Sequence, residues 1–133
     1  ERQVGVYRAA RAAAGLPVPA ELPTVKELYV GADDASAERE AKPWLVGKYQ
    51  AYVQWGQDEV LPENDTIDAE WEELRAGGRF VVGGPERCAA EIRAHVERLG
   101  ITCFAFRFGW PGMPSELVEA SMRRFAEQVR PLL

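Results

Sequence analysis

Apolar positions along this chain recur with two periods, and each change of period marks an element. Phe80–Val82 is a short run that is apolar on both faces. Such strands sit inside parallel sheets. Ile101–Phe108 alternates in bulk: Thr102, Phe104, Phe106 and Phe108 face one way, and Ile101, Cys103, Ala105 and Arg107 the other. Between these runs lies a helical stripe of Cys88, Ile92, Val96 and Leu99, with Pro85 at its first position and Gly100 as its stop. Arg93 and Glu97 are spaced to pair on its outer face. Strand, helix and strand here form a βαβ crossover.

The same alternation extends upstream. Arg2–Ala14 is Ala-rich and helical, with Val4 and Tyr7 on one face and Gly15 as its stop. The prolines of Leu16–Pro23 make an extended connector. Thr24–Val30 is a strand closed by Gly31. Asp33 and Asp34 offer caps for a long helix whose apolar face is Ala41, Leu45, Tyr49 and Tyr52. Pro43 predicts a kink, or a first segment ending near Ala41. Gly56–Gly78 is polar, acidic and punctuated by Pro and Gly, with a short helix over Ala69–Ala76 that buries Trp71 and Leu74. A connection of this length reads either as a lid or as a solvated connector. Ser115 caps a last helix with Val118, Met122, Phe125 and Val129 on its face, and Pro131 stops it.

Three parallel strands, each followed by a helix, leave both edges of a sheet open. The contrast of Phe on one face and small residues on the other suggests a barrel stave, wide outside and crowded within. A (β/α)8 barrel needs roughly 250 residues. The expected fold is therefore α/β, the C-terminal portion of a (β/α)8 TIM barrel holding about three βα units over residues 1–133. A doubly wound open sheet competes, but needs more strands than the pattern supplies. Glu1 is not an initiator Met, and the first helix opens without a cap, which suggests a chain whose earlier part is missing.

Composition narrows the class. The chain is 47% hydrophobic and 28% charged, which excludes disorder. A net charge of -5 argues against nucleic acid, and no apolar run reaches the length of a membrane span. Cys88 and Cys103 lack metal-ligand spacing and fit a reducing cytoplasm as small buried residues.

Candidate chemistry concentrates where strands end. Gly83-Gly84-Pro85-Glu86 is a strand-to-helix turn whose amides suit a phosphate, or a structural turn in which glycine permits close packing. Pro85 removes one donor there, and Glu86 repels an anion. Phe108-Gly109-Trp110-Pro111-Gly112-Met113-Pro114 reads as a stiff apolar wall for a planar ring, or as the cover of a barrel end. Arg107 needs a partner if it points inward, either a carboxylate on a neighbouring strand or a ligand anion. His95, the only histidine, lies mid-helix and reads as packing. The acidic residues from Asp58 to Glu73 read as a solvated surface.

Phe80–Glu86 with the helix after it, Leu99-Gly100-Ile101 and Arg107–Pro114 together resemble the C-terminal part of bacterial luciferase-like monooxygenases. The closing Val129-Arg130-Pro131 is similar, and Tyr29-Val30 with Asp33–Trp55 looks like that family's sixth strand and its helix. The resemblance implies a (β/α)8 barrel that binds FMN, or in one branch F420, at the C-terminal ends of its strands. It implies flavin-dependent activation of dioxygen and oxidation of a small organic substrate. On this chain it would make Gly83, Gly84, Arg107, Phe108, Trp110 and Met113 cofactor-binding walls, and 56–78 a lid. The family's catalytic histidine and much of its phosphate site lie on earlier strands, so no catalytic residue is assigned here. The partners implied are flavin, a small-molecule substrate, and either the missing N-terminal part of the barrel or a second subunit of a homo-oligomer. A dehydrogenase using F420 and a non-catalytic half-barrel subunit are the alternatives; the latter expects an open apolar edge along the first strand.

Overall fold

The computed structural model of the chain describes residues 2–62 and 65–133. Helix α1 (Arg2–Ala13) leads by an extended connector to strand β1 (Pro23–Val30) and helix α2 (Asp34–Gln54). A 3₁₀ turn at Asp58–Val60 and helix α3 (Trp71–Ala76) precede strand β2 (Phe80–Gly83). Helix α4 (Pro85–Leu99), strand β3 (Cys103–Arg107) and helix α5 (Ser115–Arg124) follow. The chain closes with a π-helical turn over Phe125–Val129 and a 3₁₀ turn over Arg130–Leu132.

All three strands are parallel, in the order β2-β1-β3. β1 is the centre of the sheet, and each of its edges is paired along only half of its length. Its two halves serve different neighbours. Glu27–Val30 pair with Phe80–Gly83, and Pro23–Glu27 pair with Cys103–Arg107. Consecutive staves of a barrel would stand in the order β1-β2-β3. Here the chain crosses over β1 to place β3.

Burial follows from that order. One core combines Tyr29, Phe80 and Val82 with Ala37, Ala41, Leu45 and Tyr49 of α2 and with Trp71 and Leu74 of α3. The other combines Leu28, Val30 and Val81 with Cys88, Ala89 and Ile92 of α4 and with Val129. The C-terminal half of the sheet is thus covered on both faces. The N-terminal half is not: Val25 is 68% exposed, and Cys103 and Ala105 beside it are exposed too. Phe104 and Phe106, on the reverse of β3, pack against the second core. The expected contrast of faces is present, and it also accounts for the exposure of Cys103, which the sequence had suggested to be buried.

Several boundaries differ from the sequence pattern for local reasons. α2 runs unbroken through Pro43 rather than ending near Ala41. The proline costs one backbone bond, but Ala41 and Leu45 on either side of it are fully buried and hold the helix to the sheet. Asp33 caps α2 in a capping box: its carboxylate accepts from the Ser36 amide at 2.7 Å, and the Ser36 hydroxyl accepts from the Asp33 amide at 3.0 Å. In α4 the buried stripe is Pro85, Cys88, Ala89 and Ile92, while Val96 is exposed. Arg93 donates to the Leu132 carbonyl at 2.7 Å instead of pairing with Glu97.

In α5, Ser115 is the first helical residue and makes no cap; Pro114 holds the cap position. Met122 is half exposed, and Ser121 is buried on the inner face in its stead. The Ser121 hydroxyl accepts from the Val30 amide at 2.8 Å, and Arg124 donates to the Val30 carbonyl at 3.3 Å. The last helix thereby satisfies the end of β1. α1 buries none of its residues and is tied to the body by Arg8, which donates to the Leu99 carbonyl at 2.6 Å.

Gly31 and Gly47 test this packing. A Cβ on Gly31 would lie 2.4 Å from the backbone nitrogen of Ala37, whereas one on Gly47 would meet nothing within 4 Å. Gly31→Ala is expected to destabilise by about 1–3 kcal/mol, and Gly47→Ala to stabilise by up to about 1 kcal/mol; urea unfolding of both variants checks the pair. A second expectation concerns acid. The amide and hydroxyl of Ser36 hold the Asp33 carboxyl below its usual range. A depressed carboxylate contributes stability above its unfolded value and loses it as pH falls. Asp33→Ala should lower the thermal midpoint by a few degrees at neutral pH. That difference should vanish in acid below the carboxylate range, as a pH series of melts would read.

Candidate functional site

The parallel register sets Glu27, on the central strand, beside both Phe80 and Arg107. Glu27 is only 9% exposed. A carboxylate there must be compensated, and side chains from three elements converge on it. Lys48, from the middle of α2, forms an ion pair with Oε1, and the Trp110 indole N–H donates to Oε2. Arg107 Nη1 approaches Oε1 at 3.5 Å. The Lys48 ammonium also lies 5.1 Å from the ring centroids of both Tyr49 and Tyr52, so its charge is shared with two π faces. A carboxylate with both oxygens engaged orients its donors and is poorly placed to take a proton from a substrate.

Around this centre the contacts are aromatic. Tyr29 and Trp110 lie with ring centroids 6.3 Å apart. The Tyr29 hydroxyl donates to Glu40 at 2.7 Å. Burial first, and then that bond, push the Tyr29 hydroxyl well above its ordinary pKa, so it stays protonated. The loop after β3 turns back on itself, the Met113 amide donating to the Trp110 carbonyl at 3.0 Å. Gly112 sits at φ +84, and a Cβ there would be 3.2 Å from the Trp44 ring.

Of the residues singled out from the sequence, the structure brings together Arg107, Trp110 and Met113. Trp110 is 5% exposed and belongs to the first core, with Met113 packed against it. Phe108 lies on the opposite side of the sheet, edge-on to Phe106 and Phe125. Gly83 ends β2, across β1 from Arg107, and Gly84 holds the cap position of α4. Their turn is filled from within the chain: the Gly84 amide donates to Asp34 at 2.7 Å, and a Cβ on Gly83 would meet Arg87 at 2.6 Å. Asp34 thus occupies an amide that a phosphate would use.

Glu27 and Lys48 were not singled out. Glu27 carries a signal nonetheless, the one carboxylate of its strand, set just before the apolar run Leu28, Tyr29 and Val30. Lys48 carries none, since a lysine on a long helix reads as solvated.

The remaining candidates are structural. His95 bonds through Nδ1 to the Glu91 carbonyl oxygen at 2.8 Å and lies edge-on to Phe104. Burial pushes the Cys88 thiol up to about 12, which leaves it inert. No group of His, Cys, Asp or Glu among the described residues could hold a metal ion. The lid expected over 56–78 includes residues 63 and 64, which lie outside the described residues, as does Glu63 of the acidic run. Within the rest of that segment, Asp58 accepts from the Thr66 hydroxyl at 2.8 Å and the Ile67 amide at 2.7 Å, and Trp71 stacks on Phe80 at 4.8 Å. Asp58 is therefore a loop staple rather than part of a purely solvated surface. A cavity of about 350 Å³ separates α2 from residues 67–74. No described helix is long and apolar enough to cross a membrane.

No family model matches the chain, and no curated protein matches it in sequence. Solved structures do match. The monooxygenase RslO1 from Streptomyces bottropensis superposes on 98% of this chain with a TM-score of 0.66 and 21% identity. The oxygenating constituent of 3,6-diketocamphane monooxygenase from the CAM plasmid of Pseudomonas putida, a type II Baeyer-Villiger monooxygenase in complex with FMN, superposes on 99% with a TM-score of 0.68 and 19% identity. The chain spans only 36% and 39% of those two proteins. At such identities the likeness is one of fold.

Glu27→Ala would leave Lys48 buried without its counter-charge and the Trp110 N–H without an acceptor. It is expected to cost about 3–5 kcal/mol of stability. Glu27→Gln keeps an acceptor for Trp110 and should cost less. Urea unfolding of the two variants beside the parent measures the difference; equal losses would mean that charge is irrelevant at this position.

Proposed function

We propose that this chain is the C-terminal section of a luciferase-like, flavin-dependent monooxygenase that binds FMN and oxidises a small organic substrate. The observation that carries the reading is the superposition of nearly the whole chain on two monooxygenases, one of them holding FMN. The sequence resemblance through Phe80–Glu86 and Arg107–Pro114 supports it independently.

The strand order is accommodated if β1 and β3 are adjacent staves of a (β/α)8 barrel. β2, four residues long, then covers only the C-terminal half of the other edge of β1. The two faces of β3 support this. Its Phe face is covered by helices, as an outer wall is, and its small-residue face is open, while α2 and α3 cover the same face of β1 toward its C-terminal end. Extra strands would have to come from chain beyond these residues or from a partner subunit.

In this reading the loop after β3 lies at the C-terminal rim, where barrel sites are built. Reduced flavin, when bound, supplies the electrons that activate dioxygen. The chain's own residues shape the place and keep it dry. Trp110 and Met113 join the aromatic core under the rim and exclude water from it. Glu27 fixes the indole and draws the Arg107 guanidinium toward the same place. The Gly83-Gly84 turn, with its amide given to Asp34, serves packing rather than phosphate.

The test uses the full-length protein. After incubation with FMN or F420 and removal of free cofactor, the retained absorbance should be that of FMN. Dioxygen should be consumed when reduced FMN and an organic sulfide or ketone are supplied. Retention of F420 alone would replace the monooxygenase with a hydride-transferring enzyme, and retention of neither would end the reading.

A further inference from the structure

We infer that the Arg107 guanidinium is a binding site for an anionic group of the ligand, a phosphate or a carboxylate. The inference deepens the flavin reading and rests on it for the place of the site.

The charges around Glu27 do not balance. Lys48 already pairs with it, both side chains being about nine-tenths buried, and the Trp110 N–H takes the other oxygen. Arg107 adds a second cation through one contact at 3.5 Å, at the outer limit for a hydrogen bond. Its side chain is 52% exposed, and it has no other partner among the described residues. Two cations thus stand over one carboxylate, and the outer one still offers most of its planar fork. That fork matches the two oxygens of a carboxylate or phosphate.

The surroundings leave room and offer no competitor. Arg107 shares its face of the sheet with Val25, Cys103 and Ala105, all exposed and either apolar or small. α2 and α3 cover the C-terminal part of this face and leave Arg107 at the margin of its bare part, where the guanidinium is open to a ligand. Glu27 is already taken by Lys48 and Trp110. Asp34 holds the one other amide expected to receive an anion.

The experiment measures the affinities of the full-length protein, parent and Arg107→Gln, for FMN, riboflavin, inorganic phosphate and acetate, the last two with and without flavin. Arg107→Gln is expected to weaken at least one anionic probe about tenfold or more while riboflavin changes little. A loss for FMN over riboflavin assigns the anion to the cofactor's phosphate. A loss for acetate or phosphate on the flavin-loaded protein, with FMN unaffected, assigns it to a carboxylate of the organic substrate. Affinities unchanged for every anionic probe overturn the inference. Failure of the parent to bind either flavin would overturn the flavin reading alone, since the phosphate and acetate arms still report on Arg107. Should Arg107→Gln not fold, phenylglyoxal modification of Arg107 in the parent decides. Protection by phosphate, acetate or FMN supports the site, and modification at one rate throughout overturns it.

Discussion

A carboxylate buried in the central strand of a sheet must be paired, and that requirement ties this molecule together. Glu27 draws Lys48 from α2, Arg107 from the end of β3 and Trp110 from the loop beyond it. Those residues lie between 21 and 83 positions away along the chain. One side chain therefore joins a helix on one face of the sheet to the strand and loop on its far edge. Replacing such a cluster with apolar residues is often no less stable. What the cluster adds is register: the indole and the guanidinium can reach Glu27 only if β3 is paired with β1 as observed.

The sheet around it is asymmetric along its strands. Near their C-terminal ends both faces are covered, by α2 and α3 on one side and by α4 and the closing helical turns on the other. Toward the N-terminal ends one face is bare. The bare stretch carries small and apolar residues with a single cation at its upper end, a surface suited to enclosure rather than to water. Arg107 stands where the covered and bare parts of one face meet, in contact with Glu27 and half exposed.

Much of the fold is legible in the residues because it is local. The three strands, the Pro85 start and Gly100 stop of α4, the Asp33 cap and the burial of Trp71 and Leu74 all follow from period, capping and turn chemistry. The misses share one cause. The continuation of α2 past Ala41, Ser121 in place of Met122 on the inner face of α5, and the exposure of Val96 were decided by which neighbour each side chain met. Ser121 is instructive: a hydroxyl reads as polar surface until the Val30 amide needs an acceptor.

The candidate site divides in the same way. The sequence by itself determined that an arginine and a Trp/Met loop follow the last strand, because alternation and turn residues fix where a strand stops. It also determined that the two faces of that strand differ in size. Only the tertiary structure decided that β1 is central, that Trp110 turns into the core while Phe108 packs on the other side of the sheet, and that Glu27 is the carboxylate Arg107 faces. Pairing between strands far apart in sequence leaves no periodic trace. A buried charge finds its partner through space, and the order of the chain is silent about which residues will be there.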